Sequence, residues 1–347
     1  MPYQSSSNNP TMGDVAKLAG VSRSTVSRVL NNSDSYVPIS EETKQRVMDA
    51  VTTLGYQTNM IARSLRTQKT QMIAVMIGDI SNAFYHPIVR AIQDVAQRYD
   101  YDVLISNGDH IYQNEHRFLQ SVLRRPVDGV IMAPHRLSTR ELEDFIQRSH
   151  IPIVAIGAQV EHPLVDVVGG TSEPATYEMI TWLIQKMGHK RIGFIGVVDD
   201  MPPGPPRLNG YLNAMRDSNL TVEPQFIQKV EFTMQGGREA MDEFLKQDHP
   251  PSAIFACNPM MSIGAMKVAQ AHGYKIPDDF SIVGFDDIPE ATIVTPELTV
   301  ISRNLPKIGT KVAELLFERI DNKVGEQGRF FQSEWQLIER ESTRKLL

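Results

Sequence analysis

Asp14-Val15-Ala16-Lys17-Leu18-Ala19-Gly20-Val21-Ser22, continued past Arg23 by Ser24-Thr25-Val26-Ser27-Arg28-Val29-Leu30-Asn31, is the stretch that decides how the chain begins to fold. Two helices that cross closely need a small residue inside the first, a glycine of positive φ in the turn and a branched apolar residue in the second. Ala16, Gly20 and Val26 stand at those relative places. Val15, Leu18, Val21, Val29 and Leu30 are expected on the buried sides, and Ser22 at the N-cap of the second helix. Ser22, Arg23, Ser24, Thr25, Ser27 and Arg28 then line the start and outer face of that helix, with Asn31 at its end, where side chains reach base edges and phosphates. An alanine, a glycine and a valine at this spacing also occur by chance, so the flanking sequence has to carry part of the argument.

On the N-terminal side, residues 1–10 are polar and rich in serine and asparagine, without the basic flank and apolar run of a secretory signal. They read as a disordered leader. Thr11 and Asp14 are spaced as a capping box that opens the first helix. On the other side a third helix follows Ser40, with Glu41 and Glu42 in its first turn, and stops near Leu54-Gly55. The pattern predicts an all-α miniature of three helices. Its charge fits an acidic partner, because residues 1–70 hold eight basic and five acidic side chains while the whole chain carries a formal net charge of -6. A positive head on an acidic body directs polyanions to one end.

Beyond residue 70 the reading changes to α/β. Short apolar runs at 73–77, 101–106, 129–133 and 152–156 alternate with amphipathic helices, and a second series follows at 191–197, 226–230, 253–256 and 281–284. An amphipathic helix at 308–320 and a last strand at 330–338 complete it. With 347 residues, the chain exceeds one hydrophobic core, and two lobes with parallel sheets are expected. Hydrophobic content of 41% and charged content of 22% are those of a packed globular protein. Cys257 is the only cysteine, which excludes an internal disulfide framework and a cysteine metal site and suits a cytoplasmic setting. Apolar runs such as 72–78 are too short to cross a bilayer, so no membrane partner is expected.

Taken whole, the string from Asp14 to Asn31 resembles the headpiece of the LacI/GalR family of bacterial repressors. The resemblance implies a hinge helix that folds on DNA and pushes a leucine into the minor groove, and Asn59-Met60-Ile61-Ala62-Arg63-Ser64-Leu65-Arg66 is similar to that hinge. In such a hinge Asn59 opens the helix, Ala62 lets two hinges approach across a dimer axis, Leu65 wedges between base pairs, and Arg63 and Arg66 answer phosphates. The alternative is an ordinary linker helix with one exposed leucine. Two departures stand out: the loop over 32–38 is longer than in the shorter family members, and Thr58 occupies the place of a usual proline. The implied organisation is a leader over 1–10, a helix-turn-helix domain over 11–57, a hinge helix and linker over 58–70, and an effector-binding and dimerisation domain over 71–347. Within that domain the N-lobe is expected over about 71–170 plus 303–325 and the C-lobe over about 171–302 plus 326–347, in a periplasmic-binding-protein-like fold.

In open α/β lobes, ligands bind at the carboxyl ends of strands, here between the lobes. Asp79-Ile80-Ser81-Asn82-Ala83-Phe84-Tyr85 resembles the family's ligand-facing turn, with Phe84 and Tyr85 placed to stack on a ring or simply to fill a core. Arg207 resembles the arginine that clamps the effector; a guanidinium grips vicinal hydroxyls or a carboxylate with two bonds. Phe232 falls where the family places an aromatic lid. Asn258 and Asp286 complete the effector set, although an asparagine before Pro259 also suits a helix start, and Asp287 a turn cap. His135 lies on a further cleft-facing loop, and the proline-rich run 201–206 stiffens the approach to Arg207.

An enzyme on the same kind of sheet is the first rival, but its glycine-rich nucleotide loops, a G-x-S-x-G elbow and an H-x-x-x-H metal pair are absent from the sequence. A soluble sugar-binding protein is the second, and the headpiece opposes it. The expected partners are operator DNA, a small polar effector (a sugar or sugar acid, or alternatively a purine or nucleoside acting as corepressor) and a second copy of the chain in a homodimer or tetramer. No cofactor or metal is expected. The apolar side of the helix starting at Tyr85 (Ile88, Ile92, Val95) would face the partner copy unless it packs on its own sheet.

Overall fold

The computed structural model describes residues 10–30, 38–57, 64, 69–157, 160, 162–198, 203–325 and 327–346. It divides into two compact units, Met1–Thr70 and Gln71–Leu347.

The first unit holds α1 (Met12–Ala19), α2 (Arg23–Leu30) and α3 (Glu41–Leu54). Thr11 and Asp14 form the capping box of α1: the threonine hydroxyl accepts from the Asp14 N–H and the Asp14 carboxylate accepts from the Thr11 N–H. Gly20, at φ 65°, ends α1 in the left-handed region and turns the chain into α2. Val15, Ala16, Ala19, Val26, Val47 and Ala50 make the core, with Val21, Val29 and Leu30 half-buried around it. Leu18 departs from expectation: it is 54% exposed. At 100° per residue it points well away from the stripe that Val15, Ala16 and Ala19 present to α2 and α3.

The second unit is two lobes of six strands each. The first lobe carries β1 (Met72–Ile77), α4 (Tyr85–Arg98), β2 (Asp102–Asn107), α5 (Tyr112–Arg124), β3 (Gly129–Met132), α6 (Thr139–Ser149), β4 (Ile153–Ile156) and β5 (Asp166–Gly169). The second carries α7 (Glu173–Gln185), β6 (Ile192–Val197), α8 (Gly204–Asp217), β7 (Ile227–Val230), α9 (Met234–Leu245), β8 (Ala253–Ala256), α10 (Pro259–Ala271), β9 (Ser281–Phe285) and β10 (Thr299–Arg303). The chain then returns to the first lobe as α11 (Leu305–Ile320) and β11 (Phe330–Gln332), and ends in the second as β12 (Trp335–Ile338). The sheet orders are β11-β5-β4-β3-β1-β2 and β12-β10-β9-β8-β6-β7. Every pairing is parallel except the antiparallel β10–β12. Fully buried runs such as Ile192–Val197 are what parallel strands covered on both faces require.

Three differences from the sequence reading matter. The expected single strand over 330–338 is two strands in different sheets, because polar Ser333 and Glu334 carry the chain from one lobe to the other. The segment 327–332 therefore belongs with the first lobe rather than the second. Strands β5 and β10 were not anticipated; β5 is four residues long and begins with a buried Asp166, whose carboxylate receives Arg319 and Arg329. Finally, Ile88, Ile92 and Val95 are buried in the core of their own lobe, where α4 packs against α11, so they are not a free dimer face.

Candidate functional site

In the first unit, Ser22 caps α2, its hydroxyl accepting from the Thr25 N–H at 3.1 Å and lying within 2.7 Å of Ser24 Oγ and 2.8 Å of Thr25 Oγ1. Ser22, Arg23 and Ser24 are exposed at the start of α2, and Thr25, Ser27 and Arg28 are half-buried along it. The Arg23 guanidinium lies over Gly13, where a Cβ would come within 2.7 Å of it. Thr11 is committed to its cap. The start and outer face of α2 present hydroxyls and the cations Arg23 and Arg28, a surface chemically suited to phosphates and base edges. Asn31, Asn59, Ala62, Arg63 and Leu65 lie outside the described residues.

In the second unit a cavity opens where strand ends of both lobes meet. From the first lobe it is lined by Phe84, Tyr85, His110, His135 and Ile308, and from the second by Arg207, Phe232, Asn258 and Asp286, with Arg303 at the crossing. Of the seven expected effector residues the fold brings six together here. Asp79 is the exception: its carboxylate turns back to the Ser81 N–H and hydroxyl, and it lines a neighbouring cleft with Arg136 and Glu231.

The electrostatic centre is Asp286. It follows β9 at φ 74°, a left-handed conformation aspartate tolerates, and Arg303 grips its two oxygens at 2.7 and 2.9 Å. Arg207, 1% exposed, reaches the same carboxylate at 3.5 Å, donates to the carbonyl of Cys257, and lies flat on the Phe285 ring at 3.7 Å. Burial pulls the Arg207 guanidinium down to about 10, with Asp286 opposing, so it stays charged at neutral pH. Its Nε has no protein partner among the described residues. Asn258 is half committed, since Oδ1 caps α10 at the Met261 N–H while Nδ2 approaches the carbonyl of Phe232 at 3.4 Å. Tyr85 is buried, and that burial pushes its phenol up to about 12. Phe84 meets it edge to face at 4.9 Å. Asp287 faces away and pairs with Arg340 at 2.8 Å.

Arg303 and His110 are site residues that sequence reasoning missed. Arg303 ends a strand that was not anticipated, and without that strand nothing marks its position at the cleft. His110 follows β2, whose end is legible, but a lone histidine in a turn carries no signal of its own.

Residues 11–59 match the model of bacterial regulatory proteins, lacI family, and residues 184–343 match the periplasmic binding protein-like domain. The HTH-type transcriptional repressor CytR of Escherichia coli (strain K12) is 34% identical over 97% of this chain and 97% of its own length. The chain belongs to the LacI family. It is a DNA-binding transcriptional regulator with a helix-turn-helix unit and a two-lobed regulatory unit. Among solved LacI-type structures, the regulator CelR in complex with cellobiose is 28% identical with a TM-score of 0.70, covering 96% of this chain and 99% of that one. The lac repressor dimer bound to operator and the anti-inducer ONPF shares the fold at a TM-score of 0.84, with 21% identity over 97% of this chain and 100% of that one. Among the described residues, no helix is long and apolar enough to cross a membrane.

Proposed function

We propose that this chain is a cytoplasmic repressor that binds a near-palindromic operator as a homodimer and loses or gains operator affinity when a small polar effector, a sugar or sugar acid, fills the interlobe cavity. The observation that carries this reading is the cavity itself: a buried Arg207–Asp286–Arg303 cluster beside Phe84, Tyr85 and Phe232, at the strand ends of two lobes joined by three crossings. Charged groups that fix hydroxyls, set among aromatic faces that cover a ring, are the recognition chemistry of a sugar site. The complex of CelR with cellobiose, in a related chain, supports a sugar. A purine or nucleoside corepressor is the second reading, favoured by the apolar walls of the cavity.

Ser22, Arg23, Ser24, Thr25, Ser27, Arg28 and Asn31 are proposed to read the operator, Thr11 to hold the entry of α1 at the phosphates, and Asn59, Ala62, Arg63 and Leu65 to form the hinge contact. The test is gel-shift binding to DNA upstream of the chain's own gene. Binding should weaken steeply with salt, and Arg28→Ala or Leu65→Ala should each cost about 1–3 kcal/mol of specific affinity. Unchanged affinity in both variants would remove the headpiece assignment. A thermal-shift screen over sugars, sugar acids, nucleosides and purines then identifies the effector, and Arg207→Ala should abolish the shift.

A further inference from the structure

Arg303 ends β10, where the chain leaves the second lobe for the first, and it meets Asp286 side on. Its Nε donates to one carboxylate oxygen at 2.7 Å and its Nη2 to the other at 2.9 Å. That pairing spends one edge of the guanidinium. The second edge, Nη1 with the outer N–H of Nη2, makes no bond to a described residue. The side chain lines the cavity and keeps 17% of its surface exposed. The rings of Phe84 at 5.3 Å and Phe285 at 5.4 Å shield it in part, which holds the group in place and removes some of its water.

The charge of the cavity does not balance. Among its described lining residues Arg207 and Arg303 are cations, and the anion between them is Asp286, both of whose oxygens are already engaged. His110 and His135 add no charge, because burial holds the first below its ordinary range and the second at about 3. Glu115 lies behind the turn of His135, outside the lining. Its carboxylate is taken up by the backbone N–H groups of His135, Arg136 and Leu137 at 2.9, 2.9 and 3.1 Å. Asp79, Asp109 and Glu231 line the neighbouring cleft with Arg136, and Asp109 and Glu231 are exposed there, where water and salt screen them. An excess guanidinium charge at a half-buried site carries a desolvation cost that an arriving anion offsets. The uncommitted polar atoms point the same way. Asn82 spends Oδ1 on the Phe84 N–H and keeps its amide N–H groups, so Asn82 and Arg303 both offer donors to a ligand.

We infer that Arg303 is the specificity-determining residue of this cavity, and that the effector is an anion presenting a carboxylate or a phosphate to its open edge. This rests on the effector reading above and confines it to acids and phosphate esters. A neutral sugar or a free purine would leave the second guanidinium unanswered. A carboxylate or phosphate supplies two acceptor oxygens on one rigid group, which is the shape that a guanidinium edge fits.

The experiment is calorimetric titration of the full chain with matched pairs: glucose against glucuronate, ribose against ribonate, and inosine against inosine monophosphate. Operator gel shifts run alongside, and melting is followed with inorganic phosphate against chloride at equal ionic strength. In at least one pair the anion should bind about tenfold or more tighter than its neutral partner, and which pair responds tells a carboxylate from a phosphate. Inorganic phosphate at millimolar concentration should raise the wild-type melting temperature by about 2 °C or more over chloride. Arg303→Gln should bring anion and neutral partner within about threefold of each other and remove the phosphate shift, whereas Arg303→Lys, which keeps the charge but not the fork, should retain part of both. Three outcomes overturn the proposal: a neutral compound that equals or beats its anion in every pair, a full anion preference in Arg303→Gln, or neither anion binding nor a phosphate shift in the wild type. If a neutral compound binds in that last case, the effector reading stands and only the charge assigned to the effector falls. If nothing binds while operator binding persists, the effector reading falls with it.

Discussion

Asp286 shows how one residue joins sequence, strain and site. Its left-handed φ points the carboxylate back over the strand ends, where two guanidiniums from α8 and β10 converge on it. Neutralising it by Asp286→Asn leaves Arg207 buried without its counter-charge, and urea denaturation should show a loss of about 3–5 kcal/mol. Arg303→Met should cost less, because Arg207 still answers the carboxylate. Asp166 makes a second test, through pH. Burial alone would raise its pKa, but bonds from Arg319 and Arg329 outweigh that and hold it at about 2 against an ordinary 3.8. A depressed carboxylate contributes stability that is complete above pH 4 and lost as pH falls toward 2, about 2 kcal/mol in all. Acid titration of wild type against Asp166→Asn should show that step only in the wild type. Residue types such as Arg207 and Asp286 were legible as site candidates from the motifs around them; Arg303, which meets Asp286 from an unanticipated strand, was not, nor was Asp166 with Arg319 and Arg329, which lie 153 and 163 residues along the chain from it.

At the scale of elements, the helices of the first unit were readable to within a residue or two because caps and glycines punctuate them locally. Thr11→Ala should therefore cost about 1 kcal/mol of stability, and Gly20→Val more than that because φ 65° strains a branched residue. The strands of the second unit were readable where they are long and apolar. Strand β2 lies at the end of its sheet, with Leu104 39% and Ile105 37% exposed on that open edge. An open apolar edge is an invitation to a second chain, and we propose it as a face of the homodimer. Ile105→Glu should raise the dimer dissociation constant by about tenfold or more, read by sedimentation velocity. A dimer as tight as wild type would move the interface elsewhere.

For the whole molecule, two units with separate cores predict separable behaviour. Removing residues 1–70 should abolish operator binding and leave the effector-induced thermal shift in place. Three passages connect the lobes, after β5, after β10 and between β11 and β12.

Local chemistry alone established the helix-turn-helix, the alternation of strands and helices, and the candidate aromatics and charges, because capping, turn glycines and hydrophobic period act over a few residues. Only the tertiary structure decided that the final apolar run divides between two sheets, that the stripe on α4 is core, and that Arg303 and two neutral histidines share a cavity with Arg207. Those outcomes depend on which distant segments meet, and burial free energy selects such meetings over the whole chain rather than within any window of it.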